Sequence, residues 1–120
     1  MSIQMYIIAL EVIKMIISNY GQNRDVNATD EELKIFEIIQ TICGAEHTRL
    51  TRKSDSYVSV VMPSARGYGD MDLARFKFTQ RAKWIKIGPE FKKVDLTAPE
   101  DVSGMAEELL NAYRFNEPYL

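Results

Sequence analysis

Apolar residues dominate positions 3–17, where Ile3, Tyr6, Ile7, Leu10, Ile13 and Ile17 form one stripe at helical spacing. Met5, Ile8, Ala9, Val12, Met15 and Ile16 form a second. At about 100° per residue the polar positions Gln4, Glu11 and Ser18 fall on one line, with Lys14 about 80° away. The apolar sector is too wide for one-sided burial. This helix is therefore either central in the fold or docked through its second stripe on another chain, a homodimer in the simplest case. Glu11 and Lys14 interrupt the run, no basic segment precedes it, and it is too short to span a bilayer, which argues against a targeting segment or a membrane anchor.

After a polar break over 21–28, Thr29 and Glu32 stand at capping-box spacing, and Asp30, Glu31 and Glu32 favour the positive start of a helix. Leu33, Phe36, Ile39 and Cys43, with Ile35, Ile38 and Ile42 beside them, give it a broad core-facing stripe that Gly44 ends. A last helix is predicted over 98–113. Thr97 and Glu100 have capping-box spacing, Pro99 suits a first turn, and Val102, Met105, Ala106, Leu109, Leu110 and Tyr113 follow helical spacing.

Between Gly44 and Asp95 the periodicity changes to two and β-branched or aromatic residues take over. Four strands are predicted, over 48–53, 57–62, 72–79 and 82–87, with connections too short for helical crossovers and hence antiparallel pairing. The expectation is a single α+β domain of three helices and a four-stranded, mostly antiparallel sheet, in the order α-α-β-β-β-β-α. Its helical N-terminal part covers 2–44, its sheet 48–87 and its C-terminal helix 98–113.

If Gln80-Arg81 is a two-residue turn, Thr79 faces Ala82, Lys77 faces Trp84 and Arg75 faces Lys86, while Ala74, Phe76 and Phe78 share the other face with Lys83, Ile85 and Ile87. One face is then core, and the other carries Trp84, the only Trp in the chain, among Arg75, Lys77 and Lys86. A flat ring among cations suits single-stranded nucleic acid or a nucleoprotein, because rings stack on bases while ammonium and guanidinium groups meet phosphates. It equally suits a protein-interface anchor. A register error of one residue reverses the assignment, buries Trp84 and exposes Ile85 and Ile87.

Composition changes this picture through charge. The net charge of -2 conceals a stretch from Arg49 to Lys93 with eleven Lys/Arg against four Asp/Glu, and a remainder with four against thirteen. Such segregation creates a local positive field on a nearly neutral molecule. Arg49, Arg52, Lys53 and Arg66 belong to the basic stretch and are candidate electrostatic support for the hairpin. The 120 residues suffice for one core without staples. Cys43 is the sole cysteine, so no intramolecular disulfide forms, and a reducing, cytoplasmic setting fits best.

Candidate catalytic sets are sparse. His47 is the only histidine, and Glu46 and Thr48 beside it supply no nucleophile motif. Cys43 and His47 are four apart, but two ligands without a further Cys/His pair make a poor zinc site. Asp70 or Asp72 with Glu90 and Lys92 has the letters of a metal-dependent nuclease site, yet Gly88-Pro89 ends the strand and leaves Glu90 in a loop. No cofactor, metal or catalytic residue is assigned.

The run from Asp72 to Thr79, then Arg81-Ala82-Lys83-Trp84-Ile85 and an acidic-capped helix, resembles a small uncharacterised bacterial domain that occurs alone or as a tail in restriction-associated and mobile-element proteins. The resemblance covers about 57–113. It implies a strand-strand-helix arrangement and a prokaryotic or phage setting, and it transfers no catalytic residue.

Two expectations follow, both non-enzymatic. The first is a binding module that meets nucleic acid or a nucleoprotein through Arg75, Lys77, Trp84 and Lys86, supported by Arg49, Arg52, Lys53 and Arg66. The second is a protein-binding regulator, such as a phage-encoded, anti-CRISPR-like inhibitor of a host defence nuclease, which dimerises through the helix over 3–17 and presents acidic ends to a basic enzyme.

Overall fold

The computed structural model describes residues 28–54 and 56–120. The apolar helix expected over 3–17, with its two alternatives, lies outside the described residues, as does the side chain of Lys53.

The first described helix, α1, runs Asp30–Cys43 and starts as the spacing predicts. Thr29 Oγ1 accepts from the Glu32 N–H at 3.1 Å, and Glu32 Oε1 accepts from the Thr29 N–H at 2.9 Å. Two orphan donors of the first turn are thereby satisfied. Gly44, at φ 92°, ends the helix and donates its N–H to Gln40 O. A residue with a Cβ reaches that φ only under strain.

Five strands follow: β1 (Arg49–Ser54), β2 (Tyr57–Pro63), β3 (Asp70–Phe78), β4 (Lys83–Ile87) and β5 (Lys92–Asp95). They form one antiparallel meander in chain order. The expectation of four strands is therefore corrected. Gly88-Pro89 does end β4, but the chain turns back at once, with Phe91 N–H donating to Ile87 O at 2.9 Å, and pairs Lys92 with Ile87. Of the three expected helices, the two that fall within the described residues are present as α1 and α2 (Ala106–Asn116).

The helix expected over 98–113 also starts differently. Pro99–Met105 is a 3₁₀ segment leading into α2. Its entry is capped by the Asp101 carboxylate, which accepts from the N–H groups of Thr97 at 2.8 Å and Ala98 at 3.0 Å, so the Thr97–Glu100 box does not form. Glu100 instead reaches Lys34 Nζ on α1 at 2.8 Å.

The pairing register divides the sheet into two chemically distinct faces. Leu50, Val60, Ala74 and Ile87 stand in one row across β1 to β4, and Val58, Phe76 and Ile85 in the next. These join Ile35, Phe36 and Ile39 of α1, Val102, and Leu109 and Ala112 of α2 in one buried core. On the opposite face one row runs Thr51, Ser59, Arg75, Lys86 and Lys93 across all five strands. This row is neutral and buried in β1 and β2, where Thr51 is 1% and Ser59 0% exposed, and cationic from β3 onward.

A bulge alters the alternation in β3. Val60 pairs with Ala74 but Val61 with Asp72, leaving Leu73 unmatched and wholly buried. Three residues apart, Asp72 and Arg75 would ordinarily face opposite sides; the extra residue puts them on the same one. Arg75 Nε donates to Asp72 Oδ2 at 2.7 Å. No helix among the described residues is long and apolar enough to cross a membrane.

Candidate functional site

The β3–β4 register is the one that a two-residue turn predicts: Lys77 pairs with Trp84 and Arg75 with Lys86, on the face away from the helices. Thr79 closes the turn, with its N–H donating to Ala82 O at 2.9 Å and its hydroxyl accepting from the Ala82 N–H at 3.0 Å. This side-chain bridge substitutes for the Gly or Asn that such turns usually need. Trp84 is half-buried, between the surface and core alternatives.

Around Trp84 the sheet assembles a mixed aromatic and cationic surface. Lys86 Nζ lies 5.1 Å and Lys93 Nζ 6.0 Å from the ring centroid, and Tyr57 meets the indole at 6.3 Å with a 48° tilt. Such placements are attractive because an aromatic face carries partial negative charge. Lys77 completes the surface from β3, and Asp95 stands opposite Trp84 on β5. Among the described residues Lys77, Lys86 and Lys93 take part in no ion pair.

Arg75 belongs to the same face but is held in place. Its Nε is bound by Asp72, and its guanidinium lies 4.2 Å from the centroid of the Phe91 ring. Phe91 sits in the β4–β5 turn at φ 56°, close against Gly88, where an added Cβ would approach Phe91 Cζ to 3.0 Å. The turn thus supports the arginine from below, and Arg75 contributes a fixed charge.

The supporting arginines do not gather there. Arg52 points to the helix side, where its Nη2 contacts both carboxylate oxygens of Glu32 at 3.0 and 3.1 Å. Arg49 donates through Nη1 to the carbonyls of Ala45, Glu46 and Thr48 around the end of α1. Arg66, in the β2–β3 loop, donates to Pro118 O at 2.9 Å and ties that loop to the C-terminus. Sequence reasoning missed Lys93, Tyr57 and Asp95. The alternation Lys92-Lys93-Val94-Asp95-Leu96 carried a signal for β5, hidden by the reading of Gly88-Pro89 as the end of the sheet.

The other chemistry-bearing residues are dispersed. His47 Nε2 lies 3.9 Å from Glu46. The Cys43 thiol approaches Leu109 O at 3.7 Å, and burial pushes its pKa up to about 11, so it is protonated at neutral pH. Asp72 is bound to Arg75 while Asp70 and Glu90 lie exposed at strand ends and turns. Among the described residues no three His, Cys, Asp or Glu side chains gather to hold a metal ion. A cleft of about 530 Å³ lies on the helix side between the β4–β5 turn and α2, lined by Ile87, Pro89, Val94, Met105, Glu108 and Asn111 among others.

Compared with known proteins, the chain matches no family model, no curated protein and no solved structure.

Proposed function

We propose that the β3–β5 face binds single-stranded nucleic acid. The observation that carries this reading is a half-buried indole flanked by Lys77, Lys86 and Lys93, none of which forms an ion pair among the described residues. A base inside a duplex offers no face to an indole fixed on a sheet, whereas an unpaired base does, and each stacked base is worth about 1–3 kcal/mol. Lys77, Lys86 and Lys93 stand on the same face as the indole and would be the groups that meet backbone phosphates. Arg75, locked by Asp72 and Phe91, offers guanidinium donors that need little ordering on binding, its charge being balanced by Asp72. In this reading the protein acts by binding and not by catalysis, and the prokaryotic or phage setting implied by the resemblance over about 57–113 belongs to the same proposal.

The test is fluorescence anisotropy of labelled single-stranded DNA and RNA titrated with the full chain at several salt concentrations. Three phosphate contacts give a slope of log K against log salt near -2, or about a 20-fold loss of affinity between 50 and 200 mM salt. Absence of binding at the lowest salt would overturn the proposal.

A specific observation favours one second reading, a protein-binding regulator. Tyr68 and Phe115 are each 59% exposed and Tyr119 45%, with Tyr68 and Tyr119 in edge-to-face contact at 5.3 Å. Exposed aromatic residues are frequent interface anchors. That reading predicts a tight stoichiometric protein complex with no affinity for nucleic acid.

A further inference from the structure

Asp95 stands directly opposite Trp84 in the β4–β5 ladder, so their side chains share a face. Directly opposed residues have Cβ atoms about 4.5–5.5 Å apart. Asp95 is exposed and, among the described residues, makes neither an ion pair nor a side-chain hydrogen bond. Asp72, on the same face, is paired with Arg75, and Asp70 lies at the far end of β3. A free carboxylate beside three lysines works against a surface that only attracts phosphate, because it repels the backbone. It has a use if it meets the edge of a base.

We infer that Asp95 is a specificity-determining residue that accepts a hydrogen bond from the exocyclic amine of a base stacked on Trp84, so that the site prefers bases with an amine at that edge over those with a carbonyl. This rests on the reading of the face as a single-strand site. The geometry is that of a platform with an acceptor at its rim. A base stacked on the indole would turn one edge toward the neighbouring strand that carries Asp95. Cytosine presents an N4 amine at the position where thymine presents the O4 carbonyl, and a carboxylate accepts from the first and repels the second. The two pyrimidines expose similar ring faces, so comparing them isolates the edge from the stacking. Lys86 and Lys93 meet either strand through its phosphates and do not discriminate.

The experiment compares oligo(dC) with oligo(dT) of equal length, at one salt concentration and at a pH where cytosine is neutral, on the full chain and on D95N. Lys92→Gln, on the opposite face of the same strand, serves as the control. The expected result is about tenfold tighter binding of oligo(dC) by the unaltered protein. In D95N, whose amide can both donate and accept, the ratio should fall to within about twofold while the salt dependence is retained. K92Q should keep the tenfold ratio. Equal binding of both strands by the unaltered protein, or a ratio unchanged in D95N, would overturn the role of Asp95 and leave the single-strand reading standing. Binding of neither strand would end both.

Discussion

Lys86 Nζ lies 5.1 Å from the centroid of the Trp84 ring, two residues along the same strand and on the same face. The ammonium group helps fix the indole on the sheet while remaining open to solvent, so one pair of side chains supplies both a stacking surface and a charge. Trp84→Ala should lower the affinity for single-stranded nucleic acid about 10- to 100-fold, the loss of one stacked base. Because Trp84 is half-buried and outside the core cluster, the same change should cost about 2–4 kcal/mol of stability, less than a fully buried aromatic. Anisotropy and urea unfolding measure the two separately.

The lysines make a distinct prediction. Replacing Lys77, Lys86 and Lys93 together by Gln should reduce the steepness of the salt dependence by about 2, at roughly 0.7 per contact on a single strand. Arg66→Gln removes a charge tied to Pro118 O from the β2–β3 loop and should leave the slope unchanged. A slope insensitive to the three lysines would mean that phosphate contacts lie elsewhere.

Glu32 joins two parts of the fold, since its carboxylate caps α1 through the Thr29 N–H and pairs with Arg52 of β1. Only 7% of its side chain is exposed, against 24% for Arg52. Glu32→Ala should cost about 1–3 kcal/mol, combining the lost cap with the loss of its two contacts to Arg52. Thr29→Ala should cost about 1 kcal/mol. Thermal unfolding of the two variants checks the order.

Stability should also respond to acid through Asp101. Hydrogen bonds from the Ala98 and then the Thr97 backbone N–H hold its carboxyl below the ordinary value of 3.8. A carboxyl whose pKa is lower in the folded state stabilises the fold above the unfolded value, and that contribution is lost as pH falls through the folded one. The urea midpoint should therefore fall below about pH 4, and D101N should show a smaller fall over the same range.

The fold was partly legible in the sequence, and the reasons differ from element to element. The start of α1 was readable because a capping box is local chemistry with one spacing. The β3–β4 register was readable because Phe76 and Ile85 belong on a buried face, and a slip of one residue would have exposed them. Strand β5 was not, because Gly88-Pro89 is a strong stop signal that carries no information about whether the chain then turns back to pair. The bulge at Leu73 was equally invisible, since it depends on the pairing with Val60 and Val61, and it decides that Arg75 meets Asp72. Of the candidate site, Arg75, Lys77, Trp84 and Lys86 share one face because strand alternation alone puts them there. Arg49, Arg52 and Arg66 do not join them, because a charge run records sequence proximity, whereas Glu32 and the carbonyls of α1 and the C-terminus set where each guanidinium points.

The most direct test of the account uses the single indole as its own reporter: Trp84 fluorescence followed during titration with single-stranded oligonucleotide at low and at moderate salt. The account predicts quenching that saturates at low salt and weakens as salt rises, because stacking and phosphate contacts occur at one place. Emission that stays constant while binding is registered by anisotropy would put the nucleic acid elsewhere on the molecule, and would contradict the assignment of the β3–β5 face.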